Sequence, residues 1–165
     1  MRKDSRGFSL IELLIVVAII LIIAAIAIPN LLRSRIAANQ ASAVGSLRTF
    51  TTAEITYAST YNVGFSSDLL YLGPPAAGAN PTSTAAGLVD SILSGGSGNS
   101  SSKSGYLFVY SPGSAINNRI DTYEFTGNPT TPGTTGTNFY FTDQSGVIRQ
   151  NTTGTASSAD SPLAG

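Results

Sequence analysis

Three patterns of apolar and polar residues follow one another along the chain. The first is an unbroken apolar run, residues 8–28, that holds a single charge, Glu12. As an α-helix its 21 residues would extend about 31 Å, which matches the roughly 30 Å hydrocarbon core of a bilayer. A carboxylate inside that core costs about 2.5–3.5 kcal/mol unless it is paired or lies near the interface. The run predicts a membrane-spanning helix whose one charge needs a partner.

The second pattern, residues 29–63, has the periodicity of an amphipathic helix. One face is predicted to carry the apolar side chains Ile36, Ala43, Leu47, Phe50, Ala58 and Tyr61, and the opposite side Arg35, Ser42, Ser46, Thr49 and Thr52. Pro29 removes one backbone hydrogen bond, but helix-compatible sequence continues beyond it. We therefore expect one long helix, kinked near residues 25–29.

Glu54 falls within the apolar face of this second helical half. Two interpretations are open. Either the carboxylate is buried and bound to an arginine, Arg119 or Arg149, or to backbone amides of the following loop, or the sheet leaves that turn of the helix exposed to water.

The third pattern, residues 64–165, consists of short segments separated by Gly, Pro, Ser and Thr. The local signals predict a helix stop at Gly64, a short helix over 69–72 capped by Asp68, a second short helix over 88–93 and a flexible loop over 95–104. Aromatic and β-branched residues predict strands at 106–110, 122–126, 138–142 and 147–149. The last two form a hairpin through Asp143–Gly146, and a surface tail is expected from residue 151. The fold class predicted is α+β, with a long kinked N-terminal helix packed against a small antiparallel β-sheet.

Composition excludes several classes of function. The 165 residues include no cysteine and no histidine, so Ser-His and Cys-His nucleophilic machinery is excluded, and neither an enzyme nor a cofactor is expected. No disulfide is possible, and the C-terminal region must be held by sheet pairing, packing or a metal ion. The carboxylates Asp121, Asp143 and Asp160 offer oxygen ligands for calcium, but their spacing does not resemble an EF-hand loop, so no metal site is predicted.

The segment RGFSLIE, residues 6–12, together with the apolar run after it, resembles the N-terminus of type IV prepilins and of the related pseudopilins of type II secretion. The resemblance implies a leader, residues 1–7, that a peptidase removes after Gly7 on the cytoplasmic side. Phe8 then becomes the N-terminal residue and its amine is methylated. With the leader removed, this amine is the one cation near Glu12. In a helical filament that amine can pair with the Glu12 of a neighbouring subunit, which removes the cost of an unpaired charge. Pro29 occupies a place where pilins of this family often carry a proline.

The resemblance also implies partners and a location. The partners are copies of the same chain, the prepilin peptidase and methylase, an inner-membrane assembly platform and a cytoplasmic ATPase. The basic leader orients the N-terminus toward the cytoplasm before assembly, and the assembled filament is extracellular. The leader holds three of the nine basic and one of the nine acidic residues, which leaves six positive and eight negative side chains, so no nucleic-acid binding is expected from charge.

Other interpretations of the N-terminal segment explain fewer of its features. A plain signal anchor does not explain why Glu12 follows shortly after a Gly-Phe pair. A cleaved signal peptide usually has a shorter apolar region, and that region contains no charge. A buried soluble helix does not account for the basic flank. Within the filament class, a type IV pilin and a type II secretion pseudopilin remain as alternatives, and the absence of tryptophan favours the pilin. A membrane-tethered domain that does not polymerise is the alternative from another class.

Overall fold

The computed structural model of the chain describes residues 8–96 and 98–163. The predicted leader, and with it Gly7, lies outside the described residues. The chain divides into two compact units, with the boundary in the sequence between Arg35 and Ile36. Each unit is described by itself.

One helix, α1 (Leu10–Tyr61), contributes to both units and contains Pro29. In the first unit it is apolar enough and long enough to cross a membrane, and none of the residues in its most apolar window is buried. It ends as the sequence predicted. Asn62 and Gly64 take left-handed backbone angles, with φ of 56° and 81°, which stop the helix directly after Tyr61.

The second unit contains a five-stranded antiparallel sheet with the strand order β1-β2-β3-β4-β5. Its strands are β1 (Ser100–Lys103), β2 (Tyr106–Pro112), β3 (Tyr123–Pro129), β4 (Phe139–Asp143) and β5 (Arg149–Asn151). Each strand therefore pairs with its neighbour in sequence. Together with the long N-terminal helix this is the predicted α+β fold.

The core of the second unit lies between α1 and the sheet. The helix buries a face with helical spacing, formed by Ala43, Ser46, Leu47, Phe50, Ala53, Glu54 and Tyr57. In β2 the aromatic residues at alternate positions, Tyr106, Phe108 and Tyr110, are buried, as expected when one face of a strand packs on a helix. A Cβ added to Gly127, which pairs with Phe108, would come within 3.2 Å of the Phe108 ring. The small residue makes room for the ring.

Two predictions about the loops, a cap at Asp68 and a turn at Asp143–Gly146, are confirmed. A 3₁₀ helix covers Leu69–Leu72, and the carboxylate of Asp68 accepts a hydrogen bond from the Leu70 N–H at 2.8 Å. At the hairpin between β4 and β5, the Gly146 N–H donates to the Asp143 carbonyl at 2.9 Å, and Gly146 has φ of +72°. Both arrangements are those that the capping and turn residues predict.

Three predictions about local structure were wrong. The loop predicted over 95–104 contains β1, because Ser104 and Gly105 form a two-residue turn with left-handed backbone angles that folds the serine run onto β2. The helix predicted over 88–93 is instead a bend followed by a single turn, in which the Asp90 carboxylate accepts from the Leu93 N–H at 2.7 Å. Ser46, predicted on the polar side of α1, is buried and donates to the Ser42 carbonyl at 3.0 Å.

The prediction of a surface tail from residue 151 was also wrong, because the C-terminal segment folds back along β5. The Gln150 N–H donates to the Ser161 carbonyl at 3.0 Å, and the Leu163 N–H donates to the Ile148 carbonyl at 2.7 Å. Leu163 packs against the core, and Ala156 is buried. Backbone pairing and packing hold this cysteine-free C-terminal region.

Candidate assembly site

The first unit presents a continuous apolar surface. Its large apolar side chains from residue 8 to residue 32 are each at least 45% exposed. They are Phe8, Leu10, Ile11, Leu13, Leu14, Ile15, Val16, Val17, Ile19, Ile20, Leu21, Ile22, Ile23, Ile26, Ile28, Leu31 and Leu32. Soluble monomers rarely leave such a large apolar patch in water, so this surface requires a membrane or a partner.

Glu12 lies in the first turn of the helix within this surface. Its Oε2 accepts a hydrogen bond from the backbone N–H of Ser9 at 2.8 Å. Ser9 precedes the first helical residue, so the contact is one half of a capping box, which satisfies an N–H that the helix leaves unpaired. This capping role of Glu12 was not among the predictions from sequence, although the S-x-x-E spacing of Ser9 and Glu12 is its usual signal.

The capping contact leaves Glu12 without a charged partner in the part of the chain that the structure describes. There the ion pairs are Lys103 with Asp90 and Arg119 with Asp121, both in the second unit. Phe8, the predicted new N-terminus, is 87% exposed at the start of the described chain. Pro29 lies inside the helix between the exposed side chains of Ile28 and Leu31. These residues can therefore interact with groups from outside the chain.

Glu54 belongs to the second unit and is fully buried. Its Oε2 accepts from the Ser66 N–H at 2.9 Å, and its Oε1 lies 2.7 Å from Ser66 Oγ. Burial raises the pKa of this carboxyl group, and the hydrogen bonds from Ser66 oppose that rise. Of the two arrangements left open by the sequence, the structure has the buried one, with a backbone amide of the following loop as partner.

The arginines considered as partners of Glu54 bind elsewhere. Arg119 Nε donates to Asp121 at 2.6 Å, and Arg149 Nη1 donates to the Asp160 carbonyl at 2.9 Å. The sequence could not identify Ser66, because a serine in a loop carries no signal that its N–H and hydroxyl turn toward a helix 12 residues earlier.

The carboxylates considered for calcium are not brought together. Asp160 accepts from Ser157 and Asn151, Asp143 accepts from the Ser145 N–H, and Asp121 pairs with Arg119. Hydrogen bonds from the Ser157 backbone and hydroxyl hold the pKa of Asp160 below its usual value. Across residues 8–96 and 98–163, no group of three or more acidic residues is arranged to hold a metal ion.

Comparison with known proteins locates the similarity in the N-terminal segment. Residues 2–28 match the family model described as the prokaryotic N-terminal methylation motif. The chain is 62% identical over 37 residues to the type IV wide pilus major component PilA4 of Thermus thermophilus. It is 52% identical over 50 residues to the type IV major pilin protein PilA of Myxococcus xanthus.

These matches confirm the resemblance to type IV pilins over the N-terminal part of the chain. They cover 22% and 30% of this chain, and 28% and 23% of the two relatives. The matched region thus spans about a quarter of each relative's length. No solved structure matches the chain.

Proposed function

We propose that this chain, which carries the N-terminal methylation motif and resembles the type IV pilins, is a structural subunit of a type IV pilus. The exposed apolar surface of residues 8–32 is the observation that carries the proposal. It is long enough to anchor the subunit in a membrane and, once the subunit leaves the membrane, must be covered by other apolar helices. Copies of the same helix provide that cover in a homopolymer.

Phe8 and Glu12 supply the specificity of assembly. Cleavage after Gly7 removes the leader and creates an amine at Phe8, and methylation keeps this amine cationic. Glu12 still offers a carboxylate oxygen beyond the one bound to Ser9, since only Oε2 is used in that contact. Pairing the Phe8 amine with the Glu12 of a neighbour brings opposite charges together inside an apolar bundle, where an unpaired carboxylate is costly.

The remaining steps follow from the resemblance to pilins. The subunit waits in the inner membrane with its N-terminus in the cytoplasm and is processed there by the peptidase and methylase. An assembly platform and an ATPase move it into the filament. Pro29 removes one backbone hydrogen bond of the helix, so this point can kink when helices pack side by side. The filament then serves adhesion, twitching motility or DNA uptake.

Imaging of whole cells tests the proposal. Labelled antibodies against the second unit should decorate surface filaments in wild-type cells, and Glu12→Ala should abolish them while the protein stays in the membrane. Glu124→Ala is the matched control, because it removes an exposed carboxylate on β3 outside the apolar surface. Filaments that persist in Glu12→Ala cells would contradict the assembly mechanism. If wild-type cells show no surface filaments and Glu12→Ala cells are defective in protein secretion, the result would favour a pseudopilin.

Intact mass spectrometry of the membrane-bound protein tests the processing step separately. The mature chain should lack residues 1–7 and carry one added methyl group at Phe8. A chain that keeps its leader, in cells that possess the peptidase, would contradict the predicted cleavage between Gly7 and Phe8. Since this measurement does not need a filament, processing and assembly are tested independently.

A further inference from the structure

Glu54, Ser66 and Tyr110 form a buried polar cluster, called here the Glu54 cluster, between α1, the loop after it and β2. All three residues are at most 2% exposed. Four close contacts connect them. Ser66 N–H contacts Glu54 Oε2 at 2.9 Å, and Ser66 Oγ lies 2.7 Å from Glu54 Oε1 and 3.2 Å from Tyr110 Oη. The Tyr110 hydroxyl donates to the Ser66 carbonyl.

The number of hydrogens available to these contacts favours one protonation state of Glu54. An ionised Glu54 only accepts, so the hydrogens available are one on the Ser66 nitrogen, one on its hydroxyl and one on the Tyr110 hydroxyl. Three hydrogens cannot fill four contacts, and Ser66 Oγ would face Tyr110 Oη with no hydrogen between them. A proton on Glu54 Oε1 supplies the fourth. Oε1–H then donates to Ser66 Oγ, and the Ser66 hydroxyl donates to Tyr110.

No cation compensates a charge on Glu54 among the described residues, where the two ion pairs lie elsewhere. The titratable groups that face it are tyrosines: Tyr57 on its own helix, Tyr110 on β2 and Tyr123 on β3. Burial raises the pKa of Tyr123 to about 12 and raises the pKa values of the other two, so all three stay neutral. Burial raises the pKa of Glu54 too. A neutral carboxyl group therefore fits its surroundings better than a carboxylate.

We propose that Glu54 is a proton-dependent lock, in which a proton on its carboxyl group completes the hydrogen-bonded chain through Ser66 and Tyr110 and fastens the loop after the helix to the sheet. The lock goes beyond filament assembly, since it lies within one subunit and uses no residue of the apolar surface. Ionisation of Glu54 breaks the chain at Ser66 Oγ and loosens the loop.

The loop that the lock holds is connected to a second segment. The Phe65 N–H donates to the Ile120 carbonyl at 2.7 Å, and Gly64 forms a parallel bridge with Ile120. Ile120 ends the turn in which Ile116 and Arg119 exchange backbone hydrogen bonds, and Ile116 is 70% exposed. Releasing Ser66 therefore removes support from an exposed turn of the domain as well as from the loop.

Hydrogen exchange of the full-length chain in detergent micelles tests the lock. Wild type and Glu54→Gln are compared at each pH, which cancels the intrinsic pH dependence of exchange. The glutamine amide mimics the protonated acid, because its oxygen accepts from the Ser66 N–H and its NH₂ donates to Ser66 Oγ. Residues 63–67 should exchange equally fast in both chains at low pH. The pKa of Glu54 is raised above 4.5 while the loop is fastened to the sheet. As pH rises from 4.5 to that raised pKa, exchange in wild type should accelerate up to about tenfold per pH unit relative to Glu54→Gln.

Two further chains complete the test. Glu54→Ala should lose protection of residues 63–67 at every pH, because the Ser66 N–H and hydroxyl lose the carboxyl group that they contact. Glu124→Gln, which removes an exposed carboxylate, should follow wild type. An equal pH dependence in wild type and Glu54→Gln would overturn the proposal. So would a Glu54→Gln chain that is less protected than wild type at neutral pH or does not fold, because either result means that the fold requires the carboxylate.

Discussion

The rings of Phe50 and Phe125 lie stacked, with centroids 4.4 Å apart and planes 10° from parallel. Phe50 comes from the helix and Phe125 from β3, and both are fully buried. Phe108 on β2 meets the Phe50 ring edge-on at 5.6 Å. Through this aromatic group the helix packs against β2 and β3.

Replacing Phe50 by alanine should therefore lower the free energy of unfolding by about 3–5 kcal/mol, because a large cavity is left between helix and sheet. Thermal unfolding of the full-length chain in detergent measures the loss. A double-mutant cycle with Phe125→Ala should give a coupling of about 0.5–1.5 kcal/mol beyond buried area. Ile55→Ala is the control, since Ile55 is 57% exposed on the same helix and its loss should change stability little. Equal losses at positions 50 and 55 would contradict this assignment of the core.

Gly64 and Gly78 form a natural matched pair. Their φ angles are +81° and +82°, so alanine at either position has the same backbone strain. A Cβ at Gly78 meets nothing within 4 Å, whereas a Cβ at Gly64 would collide with the backbone carbonyl of Ile120. Gly78→Ala should cost about 1–2 kcal/mol. Gly64→Ala should lower the free energy of unfolding clearly more than Gly78→Ala and should increase hydrogen exchange at residues 63–67. Similar losses of stability in the two variants would show that the bridge between Gly64 and Ile120 is not tight.

Asp90 is expected to stabilise its turn through the backbone more than through its ion pair. Its carboxylate accepts from the Leu93 N–H at 2.7 Å, whereas Lys103 Nζ lies 3.3 Å away on a half-exposed surface. Asp90→Ala should cost about 0.5–2 kcal/mol, as for the loss of a cap, and Lys103→Ala at most about 1 kcal/mol. A larger loss for Lys103→Ala in urea unfolding would contradict this order.

The same residue predicts a pH dependence. The Leu93 N–H, followed by Lys103, holds the pKa of Asp90 below its usual value of 3.8. The carboxylate therefore contributes its stability above pH 3.8, and the contribution is lost as pH falls through the lowered value. Asp90→Asn keeps an oxygen for the Leu93 N–H and should flatten this acid limb of the stability curve. An unchanged limb would assign the acid sensitivity to other carboxylates.

Asp160 should control how firmly the C-terminal segment is held. Its side chain accepts from the Ser157 N–H at 2.7 Å and from Asn151 Nδ2 at 2.8 Å, and its carbonyl accepts from Arg149. Asp160→Ala should release the segment, so that carboxypeptidase trims it much faster than in wild type. Asp121→Ala is the control, because Asp121 is an exposed carboxylate whose partner is Arg119. Equal trimming of all three chains would show that backbone pairing alone holds the segment.

The sequence predicts those parts of the fold that depend on neighbouring residues. The helix end at Tyr61, the cap at Asp68 and the turn at Asp143–Gly146 each follow from a signal within four residues. The strand β1 does not, because the propensity of Ser100–Lys103 is low and its pairing with β2 decides its conformation. The return of the C-terminal segment along β5 likewise depends on contacts about ten residues or more away.

The candidate site divides in the same way. The exposed apolar run and its single carboxylate are visible in the sequence, and the comparisons confirm the family resemblance there. Cleavage after Gly7, methylation at Phe8 and the roles of Glu12 and Pro29 stay predictions. The burial of Glu54 could not be decided from the sequence, since the cluster that encloses it includes Tyr110 of β2, which is 56 residues away in the chain and reaches Glu54 through Ser66.

The order of strands in the sheet has a consequence for biogenesis. Each strand pairs with the one that precedes it in the chain, so no strand must insert between two that are already paired. The sheet can therefore grow one hairpin at a time, in the order in which the strands are synthesised. Such sequential pairing keeps loop closures short, which favours fast folding, and leaves one growing edge exposed to aggregation at any moment.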